Sequence, residues 1–121
     1  MKISEVSKKF GLTQDTLRYY EKEGLIGPVE KSQNGIRNYS DEDLKRIQFV
    51  KCMRAAGVEV SFLRKYIELF ENEEDTLQER RDILVEQRKI LKEKLDKIQE
   101  AYNRLNIKID LYDKKILDKN I

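Results

Sequence analysis

The chain has 121 residues, 40% of them charged and 39% hydrophobic, and a net charge of +2. That charge load is heavy for one compact globule and suits long exposed helices. With no histidine and a single cysteine, Ser-His and Cys-His nucleophiles, histidine-zinc sites and internal disulfides are excluded. No apolar pocket is evident that would shift a carboxylate into acid/base work, so no enzyme, metal or cofactor is expected. Met1 runs directly into Ser4-Glu5 with no leader, and no apolar run reaches membrane length, which points to the cytoplasm. Residues 1–70 carry 13 basic and 10 acidic side chains and the remainder 12 and 13, a weak lean of the N-terminal part toward an anionic partner.

The expected fold is mainly α, with five helices and one hairpin. Ile3, Val6 and Phe10 share a helical face, and Gly11 ends that helix. Thr13 is a cap for a second helix, with Asp15 near its positive end. Leu17 and Tyr20 continue the buried face. Adjacent residues on a helix point about 100° apart, so Arg18, Tyr19 and Lys22 fall on other faces, with Gln14 in the first turn. Gly24 stops the helix. Two short helices around a tight turn make either a helix-turn-helix unit or a plain helical hairpin. Gly27-Pro28 breaks the chain, and Asn34-Gly35 predicts a two-residue hairpin turn with positive φ at both positions. Arg37 and Tyr39 then share one face of a strand. Such a hairpin is either the wing of a winged helix or an ordinary surface hairpin.

Ser40 caps a third helix in a capping box with Asp43. Its apolar residues, from Leu44 to Ala55, lie around most of the circumference, which predicts a largely buried helix. Gly57 ends it. Ser61 opens a fourth helix carrying Arg64 and Lys65 in its first turns and Phe62, Leu63, Tyr66, Ile67 and Phe70 on its apolar side. Glu71–Asp75 is a polar joint, and Thr76 with Glu79 predicts a second capping box. Beyond it, Leu77, Leu84, Leu91, Ile98, Leu105 and Tyr112 recur every seven residues, with Arg81, Arg88, Leu95, Tyr102, Ile109 and Ile116 at the complementary position. Six heptads of this register predict a coiled-coil seam, most economically filled by a second copy of the same helix. Periodicity leaves its orientation open.

The stretches "ISEVSKKFGLTQDTLRYYEKEGLI" and "NGIRNYSDEDLKRIQFVKCMRAAGVEVSFLRKYI" resemble the MerR family of bacterial transcription regulators, in detail over about Lys2 to Phe70 and in kind over the terminal helix. The resemblance implies a winged helix-turn-helix DNA-binding domain over 1–70 and an antiparallel dimerisation coil over 76–118. Each head of the homodimer would enter a major groove of a near-palindromic promoter in double-stranded DNA. Arg18 and Tyr19 match the family's DNA-facing pair, with Gln14, Thr16 and Lys22 as supporting contacts. Arg37 and Tyr39 match the first wing, and Arg64 and Lys65 a second, helical wing. The resemblance also implies activation through bending and underwinding of an overlong promoter spacer, so that RNA polymerase is reached only through the DNA.

Departures from the family narrow the signal. Metal-sensing members use cysteines at the ends of the dimerisation helix, and drug-sensing members carry a large C-terminal ligand domain. This chain has only Cys52 and ends a few residues beyond the coil, so neither site is expected. One cysteine on the helix after the wing resembles the thiol-based subgroup that answers aldehydes and other electrophiles in stress responses. Cys52 is either that sensor or a small buried filler among Phe49, Met53 and Ala56. For the sensor, Lys45, Lys51 or Arg54 would supply positive charge. Two alternatives stand beside the regulator: an effector-free DNA-bending protein, and a coiled-coil interaction protein that binds no DNA.

Overall fold

The computed structural model describes residues 1–72 and 74–120 and is mainly α. Its five helices are α1 (Ile3–Phe10), α2 (Gln14–Lys22), α3 (Asp41–Ala55), α4 (Val60–Glu71) and α5 (Leu77–Lys119). The chain divides into two compact units, Met1–Leu84 and Val85–Ile121.

In the first unit the local signals act as their chemistry dictates. The α1 helix ends at Gly11 with φ 65°, a left-handed conformation that a side chain would disfavour. The Thr13 hydroxyl accepts from Thr16 N at 3.0 Å and caps α2. Ser40 and Asp43 satisfy each other's backbone N–H at 3.1 and 2.9 Å, closing the capping box of α3. Behind these caps Val6, Leu17, Leu25, Ile26, Ile47, Val50 and Leu63 are buried together. Each such side chain contributes about 1.5–3 kcal/mol through apolar burial, and together they fix α2 against α1, α3 and α4.

Several expectations fail here. The wing segment forms no strand among the described residues: one isolated antiparallel bridge joins Lys31 and Arg37. Gly35 N donates to Ser32 O at 2.9 Å and Ser32 N to Ile36 O at 2.8 Å. Of Asn34 and Gly35, only Gly35 takes a positive φ, 77°. The turn is therefore the three-residue kind that ends on a left-handed glycine, not the two-residue turn expected from Asn34-Gly35. The Ser32 hydroxyl, which accepts from Ile36 N at 3.2 Å, favours this closure. Helix α3 buries Asp43, Ile47 and Val50, but Cys52, Ala55 and Ala56 are exposed; its apolar circumference is wider than the face its own head covers. Helix α4 starts at Val60 with Glu59 as its N-cap residue, so Ser61 lies within the first turn.

The joint before α5 includes Glu73, which lies outside the described residues. After it, Thr76 is buried. Its hydroxyl donates to Leu69 O at 2.6 Å and accepts from Arg80 Nε at 3.2 Å. Thr76 thus ties the start of α5 to the end of α4, in place of the expected box with Glu79. The Arg46 and Arg80 guanidinium groups lie 4.6 and 4.7 Å from the Phe70 ring centre, a pair of cation–π contacts.

The second unit is helical throughout Val85–Lys119. The whole of α5 spans 43 residues, about 65 Å at 1.5 Å per residue, and contains no buried residue.

Candidate nucleic-acid interface

The outward side of α2 carries the candidate site. Leu17 and Tyr20 anchor the helix in the core, leaving Arg18 and Tyr19 each 46% exposed. Burial raises the pKa of Tyr20, and the charge of Arg54 partly offsets the rise. The two tyrosine rings sit 6.4 Å apart at 55°, so adjacent residues of one type hold opposite roles. The Arg18 guanidinium donates to Asp15 Oδ1 at 3.0 Å and to Gln14 Oε1 at 3.4 Å. An exposed pair of this kind is worth little, so Arg18 is oriented outward while remaining free to exchange Asp15 for a phosphate or a guanine edge. Thr16 shares a 2.8 Å hydroxyl contact with Thr13 in the first turn. Lys22 is exposed. Gln14, Thr16, Arg18, Tyr19 and Lys22 therefore all belong to one short helix.

The residues expected on the two wings divide. Lys65 is exposed on α4. Arg37 donates from Nε to Glu21 Oε1 at 2.6 Å, and Glu21 Oε2 accepts from Val29 N at 2.9 Å. Burial alone would raise the Glu21 pKa, but Arg37, Val29 N–H and the charge of Lys31 together hold it below the usual value. Arg64 donates from Nε to Glu23 O and from Nη2 to Glu23 Oε2, both at 2.9 Å. Both arginines thus grip the C-terminal end of α2. Tyr39, expected beside Arg37 on the wing surface, is 2% exposed: its ring completes the core under α2, and its backbone N donates to Met1 O at 2.8 Å. Glu21 and Glu23 are not legible from the sequence as site residues, because an acid near a helix end carries no local sign of a partner 16 or 41 residues away.

Cys52 is exposed, which overturns its reading as a buried filler. Of the cations near it in sequence, Lys45 pairs with Glu42 at 3.7 Å, Arg54 donates to Val58 O at 2.8 Å and Lys51 donates to Phe10 O. Between α3 and α4 a cleft of about 230 Å³ is lined by Leu25, Phe49, Val50, Tyr66, Ile67 and Phe70, with Arg46 at its edge. Among the described residues no cluster of His, Cys, Asp and Glu is arranged to hold a metal ion, and no helix is long and apolar enough to cross a membrane.

A capped helix pair presenting Arg18 and Tyr19, followed by α3, α4 and the long α5, has the layout of a helix-turn-helix protein. Residues 1–69 match the MerR HTH family regulatory protein model, and residues 44–106 match the MerR DNA-binding model. The chain belongs to the MerR family of DNA-binding transcription regulators, which are not enzymes. It is 49% identical to the HTH-type transcriptional regulator AdhR of Bacillus subtilis over 67% of this chain and 58% of that protein. It is also 35% identical to the regulator YfmP of the same organism, over 96% of this chain and 80% of that one. A MerR family regulator from Listeria monocytogenes superposes with a TM-score of 0.90 at 44% identity, over 93% of this chain and 86% of that one. HiNmlR, a MerR family regulator lacking the sensor domain and bound to promoter DNA, superposes at 0.82 with 26% identity, over 93% and 90%.

Proposed function

We propose that the chain is a homodimeric promoter-distorting activator whose DNA contacts centre on Arg18 and Tyr19, and whose signal is an aldehyde or other electrophile captured by Cys52. The observation that carries the DNA contacts is the outward pair on α2, held in place by a fully buried Leu17 and a buried Tyr20. Gln14, Thr16 and Lys22 flank that pair, and Lys65 offers a further cation from α4. The dimer rests on the exposed seam: Leu77, Leu95, Ile98, Tyr102, Leu105, Ile109 and Tyr112 are all solvent-exposed in the single chain, and Leu84 and Leu91 complete their heptad register. A head over 1–70 and a coil over 76–118 serve these two roles. HiNmlR, similar over nearly the whole of this chain, binds promoter DNA without a sensor domain, which supports DNA recognition by a chain of this extent.

The sensing step is an addition. The Cys52 thiolate attacks the carbonyl carbon of an aldehyde, the carbonyl π pair moves to oxygen and takes a proton from water, and a hemithioacetal forms with no leaving group. An exposed thiol admits the small molecule; reactivity requires the thiolate. The added volume on α3, the helix between the wing loop and α4, shifts a two-state geometry of the heads, and the promoter spacer is bent and underwound in the activated form.

Two measurements test this. Arg18→Ala should lose about 1–3 kcal/mol per half-site on promoter DNA if Arg18 reads a base; equal affinity of the variant removes Arg18 from the site. In a reporter driven by the native promoter, Cys52→Ala should bind DNA yet fail to respond to formaldehyde, methylglyoxal or a quinone. Full induction of that variant would remove Cys52 from sensing and place the effector's site elsewhere on the chain.

A further inference from the structure

The C-terminal end of α2 is acidic where a polyanion is to be approached. Glu21 and Glu23 lie within the last turn of the helix and its cap, on the same helix as Arg18 and Tyr19. On charge alone they repel phosphate and should weaken binding. Both are engaged by arginines from distant parts of the chain. Arg37 of the wing loop takes Glu21, whose second oxygen also accepts Val29 N. Arg64 of α4 takes Glu23 twice, once at the carboxylate and once at the backbone carbonyl.

That carbonyl belongs to the C-cap residue of α2, one of the terminal acceptors that an α-helix cannot satisfy internally. A guanidinium there also meets the negative end of the helix dipole. The planar fork of arginine reaches carbonyl and carboxylate together, which a lysine cannot reproduce. Three parts of the head thus converge on one turn: the wing loop, the α2 end and α4. The Glu21–Arg37 pair is largely covered, its side chains 14% and 25% exposed, while the Glu23–Arg64 pair is about half-exposed, at 34% and 42%, and is anchored by the second bond to the Glu23 carbonyl.

We infer that Glu21 and Glu23, gripped by Arg37 and Arg64, are positioning residues that set the orientation of the recognition helix in the groove, and that Arg64 acts through α2 instead of by holding phosphate. The inference rests on sequence-specific DNA binding through α2. It assigns the two acids a role opposite in sign to their electrostatics. Removing a negative charge near DNA should tighten all binding; removing a positioning acid should weaken operator binding selectively.

The experiment uses the full chain and a duplex enriched by the wild-type protein from a random DNA library, with a scrambled duplex of equal length and composition. Glu21→Gln, Glu23→Gln and Arg64→Gln are measured beside wild type and Arg18→Ala at several salt concentrations, below the melting temperature of every variant. Each Glu→Gln change is expected to lower the operator-to-scrambled affinity ratio roughly fivefold or more, with affinity for scrambled DNA unchanged or higher. Arg64→Gln is expected to lower the same ratio while leaving the salt dependence of binding unaltered. Loss of a phosphate contact would instead reduce the slope of log affinity against log salt by about 0.9. Arg64→Lys should not restore the ratio, because a lysine supplies the charge without the fork. Equal tightening on both duplexes by the Glu→Gln variants would overturn the inference, as would a reduced salt slope or full rescue by lysine for Arg64. A wild-type chain that enriches no sequence would overturn specific binding itself, a separate result from any of these.

Discussion

Leu17 and Leu95 are the same side chain in opposite circumstances. Leu17, on a helix of nine residues, is 0% exposed, packed in a core drawn from four helices of the head. Leu95, in the middle of a helix of 43, is 54% exposed. The head buries most of its large aliphatic residues within one chain, Leu17, Leu25, Ile26, Ile47 and Leu63 completely. From Lys92 onward, every described residue of α5 is exposed, although Leu95, Ile98, Tyr102, Leu105, Ile109, Tyr112 and Ile116 keep the heptad register of the seam. A solitary exposed leucine needs no explanation; a register of apolar side chains from Leu95 to Ile116, along about 30 Å of helix, does. The two regions obey one rule, burial of apolar surface, and differ in whether the partner lies within the chain or outside it.

The sharpest way to break that contrast is to charge the seam. Leu91→Glu combined with Leu95→Glu alters four seam positions in a homodimer. Each lost leucine removes about 1.5–3 kcal/mol of burial, and the introduced charges add a desolvation cost. Sedimentation equilibrium at micromolar concentration should show two chains for wild type and the single-chain mass of 14.5 kDa for the variant. A wild-type mass of one chain would remove the seam from any interface. The heads of the variant should remain folded, since their core lies in the first unit.

Leu17→Ala tests the other side. Truncating a fully buried leucine costs about 2–5 kcal/mol, read as a lower urea midpoint with little change in slope. Sedimentation mass should be unaltered where the head remains folded. If Leu17→Ala destabilised the chain by under 1 kcal/mol or so, the head core would be looser than its burial implies, and Arg18 and Tyr19 would lose their rigid support.

The features legible in the sequence were those whose cause is local. Thr13 and Ser40 cap because the acceptor and the donor lie three residues apart. Gly11 stops α1 because it alone takes the left-handed conformation cheaply. The heptads of α5 announce a long helix by spacing alone. Where several closures compete, sequence reading slipped: Asn34-Gly35 satisfies a two-residue turn on paper, yet the Ser32 hydroxyl and backbone close a three-residue loop. Thr76 looked like a cap, but a neighbouring helix offered Leu69 O. Cys52 lies on a face of α3 that the head does not cover, and a helix with apolar residues all round does not declare which face that is. Glu21 and Glu23 were invisible as site residues because their partners are brought in by the tertiary fold.

The smallest expected effect concerns Tyr39, where the head core and the DNA surface are easiest to confuse. The family resemblance places Tyr39 beside Arg37 as a DNA contact, whereas its ring is buried and its hydroxyl is covered with no hydrogen-bond partner among the described residues. Burial raises its pKa, Arg37 pulling the other way and Glu21 reinforcing the rise. Tyr39→Phe removes only the hydroxyl. It should leave affinity for operator and scrambled DNA unchanged and alter stability by about 1 kcal/mol or less, in the stabilising direction, because a covered polar group without a partner is costly. The alkaline limb supplies a second readout. A tyrosine whose folded pKa is raised contributes stability that is intact below the ordinary value near 10 and is lost as pH rises through the folded value, since the unfolded chain ionises first. Tyr20 is shifted in the same direction, so Tyr39→Phe should flatten part of the alkaline loss of stability and leave the rest. A uniform drop in affinity for both duplexes, with the alkaline limb unchanged, would place the hydroxyl on phosphate and return Tyr39 to the DNA surface.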